Sequence, residues 1–120
     1  MDLKEKQLLL YDLCARLPYH PIVYVNENLP RLKLGSATRV WEYIGVDKPC
    51  KPYLRPLSSM TEEEMEELLN IDKKRGIYSS RHLTWHIDGE IIDYLNKKMF
   101  DWRGLIPMDL ALEAPEGMYN

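Results

Sequence analysis

The residues whose types suit them to chemistry are His82 and His86, four positions apart in the stretch HLTWH, and the two cysteines, Cys14 and Cys50. Two imidazoles at i, i+4 share one face of a helix and can hold a zinc ion there, with Asp88 or Glu90 as further ligands. On a strand the same spacing sets them roughly 13 Å apart, at about 3.3 Å per residue, too far for one ion. Leu83, Trp85 and Ile87 alternate with His82, Thr84 and His86, which is the period of a strand, and no glutamate follows the first histidine as a metalloprotease signature requires. His82 and His86 are therefore expected to be ordinary surface or half-buried side chains, and no metal is assigned. A thiol nucleophile would need a base and oxyanion donors in a defined geometry. Cys14 falls on the apolar face of the first expected helix, where a thiol is inert. Cys50 has Lys48 and Lys51 nearby and the greater expected thiolate character. Pairing either with His20, or Ser58 or Ser59 with a distant histidine, is a combination that any chain of this length offers. The 6 glycines are scattered, without a GxGxxG or GK[ST] pattern. The chain is read as non-enzymatic, with no catalytic residue and no cofactor.

What remains is a shape. With 120 residues, 45% of them hydrophobic and 29% charged, the chain fits one globular domain over residues 1–120. A net charge of −3 argues against a protein whose main task is to neutralise phosphates. The opening MDLKEK leads into a leucine run broken by Tyr11 and Asp12, too short for a membrane span and wrongly flanked for a signal peptide, so a cytoplasmic protein without a membrane partner is expected. Neither cysteine belongs to a CxxC or zinc spacing, so reduced thiols are expected.

The elements follow from local signals. Asp2 to Arg16 predicts a helix that buries Leu3, Leu10, Leu13, Cys14 and Leu17, carries an Asp12–Arg16 pair on its outside and stops before Pro18. Pro21 to Asn26 and Arg31 to Leu34 predict strands, and Thr38 to Val46 a third, forming an antiparallel meander. Asp47 to Pro56, with Pro49, Pro52 and Pro56, predicts an extended or edge segment. Thr61 to Gly76 reads as a complete helix, with a Thr61–Glu64 capping box, a Met60–Met65 staple, acidic residues first, basic residues last and a glycine stop. Leu83 to Ile87 predicts a fourth strand. Asp88 is expected to cap a last helix to about Phe100, with Asp93 paired to Lys97, before an Asp101-Trp102-Arg103-Gly104 turn. The expected fold is α+β: an N-terminal helix, a small antiparallel sheet or partly open barrel of about four strands, and two further helices.

Three blocks, LLLYDLCARLPY (8–19), KPYLRPLSSMTEEE (51–64) and DYLNKKMFDWRGLIPMDLALEAPEGMY (93–119), resemble a family of small proteins widespread in gut Bacteroidales and their phages and mobile elements. The resemblance covers a little under half of the chain. It implies a shared small α+β fold and that origin, and it carries over no functional position. The family commonly has glycine where His20 and Asp109 stand.

Two surfaces suit a binding partner. Tyr53 and Arg55, and Trp102 and Arg103, each place an aromatic near an arginine in irregular backbone, the residue types that dominate protein interfaces. The competing reading has Tyr53 and Trp102 anchoring loops to the core, with Arg55 and Arg103 paired to the acidic helix. Arg31 and Lys33 on one strand, with Arg39, Trp41 and Tyr43 on the next, suit nucleic acid if the hairpin register brings both sets to one face. The run Glu62 to Glu67 reads as a solvated helical face, or else as a place for a basic partner to dock. The function expected is a protein-interaction or regulatory module with an unidentified protein partner, the alternative being a small nucleic-acid-binding module.

Overall fold

The structure, a computed structural model, describes residues 2–36, 40, 42, 50–74 and 89–119. Helix α1 runs over Leu3–Arg16, and Asp2 caps it: its Oδ1 accepts from the Glu5 amide at 2.8 Å while the Glu5 carboxylate accepts from the Asp2 amide at 3.2 Å. This is a reciprocal capping box written as D-x-x-E. After Arg16 a 3-10 turn, Leu17–Tyr19, carries Pro18, and His20 ends it with φ 54°. The buried positions of α1 are Leu9, Asp12, Leu13 and Arg16. That is the spacing of a single helical face, but the face is rotated from the expected one. Leu3 is 72% exposed, Cys14 is exposed, and the Asp12–Arg16 pair expected outside lies inside.

Helix α2, Glu62–Lys74, begins as its sequence predicts. Thr61 Oγ1 accepts from the Glu64 amide and Glu64 Oε1 from the Thr61 amide, both at 3.1 Å. The Gly76 stop lies outside the described residues. Helix α3, Gly89–Lys97, turns Ile91 and Leu95 inward, and its expected Asp88 cap also lies outside the described residues. Asp93 accepts from the Tyr19 hydroxyl, tying α3 to the turn after α1. The end of α3 is a Schellman motif. The Phe100 amide reaches Leu95 O at 2.9 Å, the Met99 amide reaches Asn96 O at 3.1 Å, and Met99 takes the left-handed position at φ 61°. The same pair of bonds recurs from Leu110 to Leu105 and from Asp109 to Ile106, with Asp109 at φ 61°. Each motif brings two hydrophobic residues together: Leu95 with Phe100 in one core cluster, Leu105 with Leu110 in another.

Four short strands, β1 (Ile22–Tyr24), β2 (Leu32–Lys33), β3 (Lys51–Leu54) and β4 (Leu112–Glu113), form one sheet in the order β2-β1-β3-β4. β1 pairs antiparallel with β2 and β3, while β4 joins β3 in parallel, so the α+β fold has an open mixed sheet where an antiparallel one was expected. The first two strands stand where predicted. The third does not: Val40 and Glu42 have helical backbone, with the Val40 amide 3.4 Å from Ser36 O. The rest of Thr38–Val46 and the expected strand Leu83–Ile87 lie outside the described residues.

The proline-rich segment, expected to be extended or at an edge, is extended over Lys51–Leu54 but supplies the interior strand β3. Hydrogen-bond alternation explains how Pro52 is tolerated there. The Leu34 amide donates to Pro21 O at 2.9 Å, which makes Ile22 and Lys33 a non-hydrogen-bonded pair; Ile22 therefore aims its backbone groups at β3, and Val23 aims its own at β2. Val23 faces Pro52, so the polar side of Pro52 points away from β1, and pairing with β4 starts only at Tyr53. The missing N–H removes no rung.

Among the described residues the core comprises three clusters. Leu9, Leu13, Val23, Leu34 and Cys50 pack between α1 and the sheet. Leu68, Ile91, Tyr94, Leu95 and Phe100 join α2 to α3. Leu54, Leu105, Leu110 and Ala111 hold the last segment to β3. Among the described residues, no helix is long and apolar enough to cross a membrane.

Candidate functional site

The two aromatic–arginine segments meet through their backbones. The Arg55 amide donates to Met99 O at 2.7 Å and the Asp101 amide to Arg55 O at 2.8 Å, forming a parallel bridge between Arg55 and Phe100. From there the side chains diverge. Arg55 makes two 2.7 Å bonds to the Glu64 carboxylate and a third, at 3.2 Å, to Ser59 O, with its guanidinium 4.3 Å from the centre of the Phe100 ring. Tyr53 donates to Pro30 O at 3.2 Å. Trp102 packs against the α2–α3 cluster and its Nε1 donates to Asn96 Oδ1 at 2.9 Å. Arg103 stacks on Trp102 at 4.1 Å and donates from Nε to Asp12 Oδ1 at 3.2 Å. All four side chains are thus engaged within the molecule. Arg55 reaches the acidic helix α2, whereas Arg103 reaches α1.

Asp12 is the centre of a buried charge knot. Its Oδ2 accepts from Arg16 Nε at 2.9 Å and its Oδ1 from Arg16 Nη2 at 3.0 Å; Nη2 also donates to Phe100 O at 2.7 Å. Both side chains have 0% exposure. These contacts give the physical reason for the rotated face of α1. A guanidinium and a carboxylate can enter the interior when each meets partners there, and Phe100 O and Arg103 supply them from the far end of the chain. Arg16 Nη1 is buried without a hydrogen-bond partner among the described residues.

The charged groups at the start of α2 are arranged differently. Glu64 is held low, at about 2, chiefly by its bonds to Arg55 and further by the Thr61 cap, against the opposing effect of burial. The Tyr94 hydroxyl lies 3.0 Å from Glu67 Oε2 and 3.3 Å from Glu64 O, and burial, then Glu67, pushes its ionisation well above the usual phenol range. Beside this turn opens a cleft of about 600 Å³ between α2, the end of β3 and residues 113–119. Among the described residues its lining contains Glu63, Glu64, Glu67, Glu113 and Glu116 against Arg55 and Lys98. Arg55 is already committed to Glu64. Pro56, Ala114, Pro115 and Met118 give the same walls apolar surface.

One wall is fastened at two points. The Ala114 amide donates to Leu54 O at 2.8 Å. Five residues on, the Tyr119 hydroxyl donates to Tyr53 O at 2.6 Å and accepts from the Ile22 amide at 3.1 Å. Burial raises the Tyr119 phenol to about 12, so it stays a proton donor across the ordinary pH range.

Other sequence-based candidates fall elsewhere. Arg31 and Lys33 are exposed at β2, while Leu34 is buried, so these two basic side chains point to solvent. Arg39, Trp41 and Tyr43 lie outside the described residues. His82 and His86 also lie outside the described residues; among the described residues no group of three histidine, cysteine or acidic side chains is placed to hold a metal. The expected settings of the cysteines are reversed. Cys50 is buried and its thiol is pushed up to about 11 by desolvation, whereas Cys14 is the exposed one.

Glu63 and Glu67 belong to the acidic run that the sequence marks. Glu113, Glu116, Lys98 and Tyr119 had no such signal, because the fold alone brings them to one cleft. No family model matches this chain, and neither a curated protein nor a solved structure matches it.

Proposed function

We propose that the protein is a non-enzymatic interaction module that receives a basic segment of a partner protein in the acidic cleft. The observation that supports this reading is the charge imbalance of the cleft: five carboxylates face two basic groups among its described lining residues, and one of those two is paired internally. Focused negative potential attracts cations and speeds their encounter. The apolar surface of Pro56, Pro115 and Met118 beside the carboxylates suits lysine and arginine, whose aliphatic stems pack while their charged heads reach acceptors. The volume lies within the range of ligand pockets, about 300–1,000 Å³. Arg55, one of the residues suited to partner contact by type, would act from the cleft wall by fixing Glu64.

The test is a titration of the protein with a short peptide of alternating lysine and alanine, and with its glutamate counterpart, at low and moderate salt. The basic peptide is expected to bind, and Glu113→Lys with Glu116→Lys to weaken it by about tenfold or more, roughly the effect of losing charge pairs at an interface. Glu27→Lys with Glu66→Lys changes net charge equally outside the cleft and is expected to have a much smaller effect. Equal losses from both double variants would reduce the binding to unspecific attraction and remove the proposal. So would absence of basic-peptide binding at low salt, or tight binding of single-stranded nucleic acid with no response to the peptide.

A further inference from the structure

The Tyr119 hydroxyl occupies the place of a backbone hydrogen bond. β1 and β3 pair Tyr24 with Lys51 and Val23 with Pro52, and continuing that register puts Ile22 opposite Tyr53. Ile22 aims its N–H and C=O at β3, as the alternation on its β2 side requires, so the next rung of an uninterrupted ladder is Ile22 N–H to Tyr53 C=O. The phenol oxygen is inserted there, accepting from Ile22 N at 3.1 Å and donating to Tyr53 O at 2.6 Å. Both backbone groups are therefore satisfied with the phenol in place. Both also have a partner if it leaves, because the two strands can close on each other.

We infer that Tyr119 is the latch of a two-position strap: seated, it holds residues 115–118 as a wall of the acidic cleft, and released, it lets β1 and β3 close by one rung while that wall swings away. Two features on the strap fit this role. Among the described residues, the backbone between Ala114 and Tyr119 bonds only within its own turn, Met118 N–H to Pro115 O at 3.1 Å, and Gly117 at φ 82° makes that turn without a Cβ penalty. A buried donor or acceptor left unpaired costs free energy, and this exchange leaves neither Ile22 nor Tyr53 unpaired, so the opposing cost of release is confined to the phenol and the strap. Such a bistable element is what couples a site to a distant signal. The strap itself is independent of what the cleft receives; its control of basic-segment binding rests on the function proposed above.

The experiment compares the wild type with Tyr119→Ala and Tyr119→Phe, measuring amide exchange by NMR, cleavage after Glu116 by a glutamate-specific protease, and affinity for the lysine–alanine peptide. Both variants are expected to show faster cleavage after Glu116, by about tenfold or more, because the opened state is more populated. In Tyr119→Ala the Ile22 amide is expected to keep its protection within about tenfold, with a new through-bond coupling to the Tyr53 carbonyl; Val23, whose amide faces β2, is the internal reference. Loss of protection at Ile22 with Val23 unchanged would make Tyr119 a brace with no second position. Wild-type cleavage in Tyr119→Phe would show that the hydroxyl is not the fastening and would equally overturn the latch. If the wild type binds the peptide, a tenfold weaker affinity in both variants supports control of the cleft and an unchanged affinity refutes it. If the wild type binds no peptide, the proposed function fails, while exchange and cleavage still decide the latch.

Discussion

The fully buried carboxylate of Asp12 accepts from two guanidinium groups, whereas Glu63, Glu113 and Glu116 line an open cleft. The same chemical group thus serves two ends. In the knot, Asp12 holds Arg16 within α1 and joins α1 to Arg103, while Arg16 reaches on to Phe100 O beyond the end of α3. A buried ion pair contributes modestly against a well-packed apolar replacement, but removing one partner strands the other charge in the interior. In the cleft, Glu63, Glu113 and Glu116 remain solvated, which contributes little to the stability of the free protein and leaves them available to an incoming cation. The Arg55–Glu64 pair stands at the border, where one carboxylate of the acidic face has been turned inward as a structural tie.

The strongest way to break this contrast is Asp12→Ala. It leaves Arg16 buried with no carboxylate and Arg103 with only its stacking on Trp102, and the expected loss of unfolding free energy is about 3–5 kcal/mol. Denaturant melts monitored by circular dichroism measure it. Asp12→Leu combined with Arg16→Met should cost less than Asp12→Ala alone, since the pair leaves together. A loss below about 1 kcal/mol for Asp12→Ala would show that Arg16 finds water on relaxation and that the knot is no tie at all.

Glu64→Gln comes next and sharpens the border case. The folded-state value of about 2 lies below the ordinary 4.5, so the ionised carboxylate stabilises the fold at pH values above about 4.5, and that stabilisation disappears as pH falls through about 2. Wild-type stability is therefore expected to fall between about pH 5 and pH 2, and the variant, about 1–2 kcal/mol less stable at pH 7, to show a flatter profile there. Parallel profiles would assign the acid sensitivity to other carboxylates. Reversing Glu113 and Glu116, by contrast, should change stability by less than about 0.5 kcal/mol, as expected for exposed positions.

The legibility of the sequence follows the range of the forces. The capping box at Thr61 and Glu64 is read correctly because both partners sit within one turn. The period of α1 is also legible, but its phase is not: Asp12 and Arg16 at i, i+4 look like a solvated pair until Phe100 O and Arg103, more than 80 residues away, become their neighbours. β3 is misplaced to an edge because three prolines argue against an interior strand, and only the pairing geometry reveals that Pro52 withholds no rung. β4 has two residues between Pro107 and Pro115 and no period to detect. The cleft shares that difficulty. Three of its five described carboxylates, Glu63, Glu64 and Glu67, stand in a helix that announces itself, while Glu113, Glu116 and the Tyr119 fastening depend wholly on where the last segment docks. His20 and Asp109 both have left-handed backbone, a local requirement visible only once the turns are formed.

The smallest effect expected separates ion-pair length from ion-pair burial. Lys51 Nζ and Asp109 Oδ1 are 2.9 Å apart, the same separation as Arg16 Nε and Asp12 Oδ2, yet their side chains are 30% and 87% exposed against 0% for both members of the knot. Water screens the surface pair, which holds two mobile side chains for about 0–1 kcal/mol of attraction. Asp109 also occupies the left-handed position of its Schellman motif, where glycine avoids the Cβ contact. Asp109→Gly should therefore stabilise the protein by about 0.5 kcal/mol even though it deletes the ion pair, because relief of the backbone outweighs the lost attraction and the added freedom of the unfolded chain. Asp109→Asn, which removes the charge and tolerates the same backbone, is expected to stay within about 0.5 kcal/mol of wild type. A loss of 2 kcal/mol or more from both variants would mean that contact distance, and not exclusion from solvent, sets the strength of these pairs, and the distinction between knot and surface would collapse.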